Sequence, residues 1–218
     1  MILIKNKILR FNIFFIKILF LFFCYSYVSA DSNTIQDGGT ETDQQNIDGN
    51  GEFLTVKNSS TLATGATTKA ANVTGDSVTV TVESGSTISA NTVAVFGDTT
   101  SDLTVTNSGT IKASGTTAID AKATTNATIT NNSGGTISSN RNTIRVSKTG
   151  GTNTTGMTIT NSGTIEGGTA SIVVHNANAT GTNIITEDEG TYIGKISLND
   201  SETTFTLDRK STRLNSSH

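Results

Sequence analysis

From Phe53 onward, the chain places a single Val or Ile between polar residues, over and over. Thr104-Val-Thr-Asn-Ser-Gly-Thr-Ile111 and Thr158-Ile-Thr-Asn-Ser-Gly-Thr-Ile165 are its cleanest forms. Alternation of this kind predicts a short strand with one buried face, followed by a turn and a second strand that opens on Thr-Ile. Four further copies can be aligned: Thr55-Val-Lys-Asn-Ser-Ser-Thr-Leu62, Thr81-Val-Glu-Ser-Gly-Ser-Thr-Ile88, Thr128-Ile-Thr-Asn-Asn-Ser-Gly-Gly-Thr-Ile137 and Ile184-Ile-Thr-Glu-Asp-Glu-Gly-Thr-Tyr-Ile193. Their closing aliphatics, Leu62, Ile88, Ile111, Ile137, Ile165 and Ile193, lie 26, 23, 26, 28 and 28 residues apart. A nearly constant period predicts a solenoid.

A second alternating pair follows in each unit: Val93 and Val95, Ile119 and Ala121, Ile144 and Val146, Ile172 and Val174. Placing Ala118 inward instead would carry Asp120 into the core, so Ile119 and Ala121 are expected inside; the register of residues 63–80 and 112–121 stays open. Two or three strands per unit, with no helical period, predict an all-β parallel β-helix of about six coils of 23–28 residues. The lack of Pro agrees, since each interior coil must offer its amides to a neighbour. One coil buries about five branched side chains at roughly 1.5–3 kcal/mol each, while ordering costs about 1.5 kcal/mol per residue. A coil therefore folds only against others. Asn58, Asn107, Asn131 and Asn161 fall at equivalent turns and predict an Asn ladder of structural purpose.

The ends read differently. In residues 1–30, Lys5, Lys7 and Arg10 precede the apolar run Ile18–Phe23, and Val28-Ser-Ala30 offers a small-residue cleavage site, the pattern of a cleaved secretory signal. Lys17 leaves the apolar run short of a membrane span. The one cysteine, Cys24, would leave with the signal. Residues 31–52, acidic and rich in Gly, Asn and Gln, are expected to form a disordered leader before the repeats of 53–207. Residues 208–218, DRKSTRLNSSH, resemble a translated sequencing adapter, which implies a solenoid truncated at its C-terminal end.

Charge and composition narrow the function. Between Asp31 and Leu207 there are eight basic and seventeen acidic residues, a net of −9, which argues against a nucleic-acid binder. That segment holds 41 Thr and little Leu or Phe, against one thick enzyme core. The densest carboxylates, Glu187-Asp188-Glu189, read as a solvated turn, and Arg141 and Arg145 as surface charge. His175 has no Ser, Cys or second His at triad or metal spacing. Asn72-Val-Thr and Asn126-Ala-Thr match a glycosylation triplet, as chance provides in a Thr-rich chain. No catalytic, cofactor-binding or metal-binding residue is assigned, and no cofactor is expected. The pairs Thr79/Thr81, Thr104/Thr106, Thr128/Thr130 and Thr158/Thr160 raise an ice-binding array, against which Lys57 and Glu83 are aligned with Thr106.

The T-[VI]-T-N-S-G-T-I units resemble the passenger repeats of autotransporters, the type V secreted proteins of Gram-negative bacteria. The stretch Gly194-Lys-Ile-Ser-Leu-Asn-Asp200 with Thr203-Thr-Phe-Thr-Leu207 is similar to a segment recurring in those passengers. The resemblance covers roughly Phe53 to Leu207. It implies export through the periplasm, display of a β-helix at the cell surface, an outer-membrane β-barrel in the full-length protein, and a non-catalytic role in adhesion toward an unknown protein or glycan. A polysaccharide-active β-helix and an ice-binding solenoid are the alternatives.

Overall fold

The structure is a computed structural model that describes residues 33–35, 38–65, 68–147, 152–174, 179–187, 189–198, 203–207 and 214–215. The expected signal segment, His175 and Asp188 lie outside them. Among the described residues all regular structure is strand, stacked in parallel as a β-solenoid of about six turns.

The chain winds past three faces. The first is an eight-stranded sheet, Asn33–Ile35, Phe53–Val56, Thr79–Val82, Thr104–Asn107, Thr128–Asn131, Thr158–Asn161, Asn183–Thr186 and Thr204–Leu207, in sequence order. The second runs from Thr40–Glu41 through Thr61–Ala63, Thr87–Ala90, Thr110–Ala113 and Thr136–Ser139. The third holds Gln45–Ile47, Ala71–Val73, Val93–Asp98, Thr117–Lys122 and Asn142–Ser147. Thr164–Val174 passes through the corner without a break and joins the second and third faces into one sheet.

Side chains of equal register make columns down the interior. Leu54, Val80, Val105, Ile129, Ile159 and Ile184 stack on the first face, all fully buried. On the second, Leu62, Ile88, Ile111, Ile137 and Ile165 stack as the repeat predicts. The last member of that column is Tyr192 and not Ile193: Thr191 pairs with Thr164, so alternation turns Tyr192 inward and leaves Ile193 41 % exposed. On the third face Val95, Ile119, Ile144 and Ile172 form the column. Val93 pairs with Thr117, two positions earlier than expected.

Turn length explains another shift. Two residues separate Asn107 from Thr110, whereas four separate Val82 from Thr87 and Val56 from Thr61. Counting back from each closing Thr therefore misplaces the first two copies by two residues. Asn107 pairs with Val82, not with a residue of the following turn, and Asn58 lies exposed in a turn at a φ of 56°. Only three of the four expected Asn join the ladder.

The solenoid also begins earlier than expected. Within the segment read as a disordered leader, strands pair with Leu54–Val56, Thr61–Leu62 and Ala71–Val73. Ile47 is fully buried there, and Ile35 packs against the core. Polar composition misled because a neighbouring coil supplies a full ladder of backbone partners, so few apolar side chains are needed. In the adapter-like tail, Leu214–Asn215 pairs with Tyr192–Ile193.

Candidate functional site

The first face offers an ordered outer surface. Thr79, Thr104, Thr128 and Thr158 pair in one outward column, and Thr55, Thr81, Thr106, Thr130 and Thr160 in the next. The second face carries its own column, Thr40, Thr61, Thr87, Thr110, Thr136, Thr164 and Thr191. Parallel strands set each column at a repeat of about 4.8 Å, and alternation separates the two columns of the first face by about 6.6 Å. The four T-x-T rows hold no charged side chain and are half-buried by their own neighbours. Thr suits this position because its branched Cβ fits the pleat while its hydroxyl faces water. Lys57 and Glu83, expected to interrupt the array, lie beyond the strand ends; the partner of Thr106 is Thr81.

Beneath this face runs the Asn ladder. Asn107, Asn131 and Asn161 are fully buried, continuing inward a column whose earlier members are Val56 and Val82. Asn107 Nδ2 donates to Asn131 Oδ1 at 2.8 Å, and Asn131 Nδ2 donates to Asn161 Oδ1 at 2.8 Å. The amides of Gly109 and Gly163 donate to the Oδ1 of Asn107 and Asn161, which closes each tight turn. A Cβ on Gly163 would stand 2.3 Å from the Gly135 carbonyl oxygen, so the third residue of Asn-Ser-Gly has no room for a side chain. The motif is thus a packing device, and its amides are consumed within the rod.

The third face is closed by its own side chains. Asp120 is fully buried, contrary to the solvated position expected from alternation, because Arg145 on the adjoining strand covers it. Ala118 joins the core together with Ile119 and Ala121. Lys69 Nζ sits 3.4 Å from the centroid of the Phe96 ring, and burial lowers its pKa despite the attraction of Asp98. Lys122 approaches the same ring from 5.8 Å and Asp98 from 3.9 Å. Arg145 is therefore no free surface charge, while Arg141 lies exposed at the corner.

The remaining candidates stay dispersed. Ser162 Oγ donates to Glu187 and Ser133 Oγ to Glu189, both in exposed turns. Among the described residues no group of three or more His, Cys, Asp or Glu could hold a metal ion, and no helix is long and apolar enough to cross a membrane.

No protein-family model, curated protein or solved structure matches the chain.

Proposed function

We propose that the chain is the N-terminal part of an autotransporter-like passenger, a rod exported through the periplasm and displayed at the cell surface, where it serves adhesion without catalysis. The observation that carries this reading is the first face: a stiff, uncharged sheet whose Thr columns repeat coil after coil over a thin aliphatic core. Such a scaffold displays side chains over a long distance at little cost in apolar residues. In this reading residues 1–30 are the cleaved signal, residues 208–218 derive from adapter sequence, and an outer-membrane barrel is encoded downstream of Leu207. Beads coated with the full chain should bind host matrix proteins, glycans or bacterial cells, and Thr106→Lys with Thr130→Lys should weaken the contact. Coated beads that adhere to none of these surfaces would overturn the adhesive role.

A second reading is favoured by the register of the rows Thr79/Thr81 to Thr158/Thr160. A flat lattice of methyl and hydroxyl groups fits ordered water, hence ice, because both groups recur at fixed spacing. Thermal hysteresis of the full chain, abolished by Thr130→Lys, would support it; freezing without hysteresis would eliminate it.

A further inference from the structure

An open groove of about 860 Å³ follows the corner between the second and third faces, across five successive coils from Thr64 to Gly168. At about 4.8 Å per coil it is about 19 Å long. Small residues make its floor: Ala90, Ala113 and Ser139 are 6 %, 3 % and 7 % exposed. One wall is the column Ser89, Lys112, Ser138 and Glu166. The other carries Asn91, Ser114 and Asn140, where Ser114 Oγ donates to Asn91 Oδ1 at 2.8 Å. Among the described residues the side chains of Lys112 and Glu166 have no hydrogen-bond or ion-pair partner.

The lining selects a chemistry. No aromatic or large aliphatic side chain borders the groove, so an apolar ligand has nothing to pack on. A peptide strand has no free edge to join, because the amides of Ser114 and Asn140 already donate to Ala90 and Ala113 of the preceding coils. One Lys and one Glu two coils away, in a segment of net charge −9, give a polyanion no basic track. What remains is an open channel whose middle three coils carry the hydroxyls of Ser89, Ser114 and Ser138 and the side-chain amides of Asn91 and Asn140. The Asn140 amide donates to the Ser114 carbonyl, and a free ammonium and a free carboxylate stand two coils apart. We propose that this groove binds a linear neutral glycan, whose hydroxyls both donate and accept along its length. Lys112 donates to the chain, Glu166 accepts from it, and the small floor lets it lie against the corner. The site rests on the reading of the rod as an interaction scaffold and names the class of its ligand.

The test is calorimetric titration of the full chain with cellohexaose, hexa-N-acetylchitohexaose and xylohexaose, and with the matching disaccharides. At least one hexasaccharide should saturate a single site at least tenfold more tightly than its disaccharide. Lys112→Ala with Glu166→Ala, both exposed and outside the core, should weaken that binding at least tenfold and leave the thermal melt unchanged. Ala113→Phe, which fills the floor, should abolish it. Absence of heat from all three hexasaccharides at millimolar concentration would overturn the proposal, as would affinity that survives the double substitution. If beads carrying the double variant adhere undiminished while no hexasaccharide binds, the groove is wrong and the adhesive rod stands.

Discussion

Arg145 lies directly across a parallel ladder from Asp120 and grips its carboxylate with two groups, Nε at 3.0 Å from Oδ1 and Nη2 against Oδ2. The hydrogen bond to Asp120 raises the pKa of the guanidinium, against the opposing effect of burial. Asp120 is fully buried, so its charge depends chiefly on this cation and on Ser147 Oγ, with a weaker attraction from Lys69. Removing Arg145 strands an anion in the wall of the rod. Arg145→Ala should lower stability by about 1–3 kcal/mol, less than the roughly 3–5 kcal/mol of a fully buried pair because the guanidinium is partly exposed. Adding Asp120→Ala should restore part of the loss, read from urea midpoints. Equal midpoints for Arg145→Ala and the unaltered chain would refute the pairing.

Asn131 stands mid-ladder, donating to Asn161 and accepting from Asn107. Asn131→Val should cost about 1–3 kcal/mol, since it takes one partner from each neighbour, although Asn161 Oδ1 keeps the Gly163 amide and Asn107 Nδ2 keeps the Gly109 and Thr136 carbonyls. Replacing Asn107, Asn131 and Asn161 together by Val should cost less than the sum of the single changes. The column would then continue Val82 without a broken chain of amides, although the Gly109 and Gly163 amides would lose their acceptors. Additive single and triple effects in chemical unfolding would argue against a coupled ladder.

Two glycines separate steric need from conformational need. At Gly163 a Cβ would meet the Gly135 and Asn132 carbonyl oxygens at 2.3 and 2.5 Å. Gly134 has a φ of +79° and open space about its missing Cβ. Gly134→Ala should cost about 1–2 kcal/mol from the left-handed backbone alone. Gly163→Ala must push coils apart and should cost more, seen as a larger drop in melting temperature. The reverse order would contradict the stacking of the coils.

Burial pushes the Tyr192 hydroxyl to a higher pKa than the ordinary 10.0. Its ring lies 6.1 Å from that of Phe205, tilted by 57°. The unfolded chain releases this proton first on alkalinisation, so the unfolded state binds fewer protons and stability falls as pH rises above 10. Tyr192→Phe should flatten that part of the decline in a series of urea midpoints between pH 9 and 11. An unchanged alkaline slope in the variant would show that Tyr192 ionises as easily folded as unfolded.

The period of the chain, the all-strand character, the parallel stacking and most of the aliphatic columns were legible in the order of residues. They depend on a spacing near 25 residues and on alternation, both local properties that a string of letters retains. An Asn ladder was legible as well, because a repeated side-chain amide can donate to one neighbour and accept from the other, but only the structure places it inside. Register was not. The turn after Val82 is two residues longer than the turn after Asn107, and only the pairing of whole coils shows which residues face each other across it. That one shift removed Asn58 from the ladder and carried Lys57 and Glu83 out of the Thr columns. In the same way Asp120 reads as solvated until Arg145, on the next coil, is laid beside it. The early coil of Ile35 and Ile47 and the corner groove belong to the same class. Sequence shows which strands alternate, since that pattern is local to a few neighbouring residues; tertiary structure decides what each strand buries and what stacks on it, since a column is built from residues more than twenty positions apart.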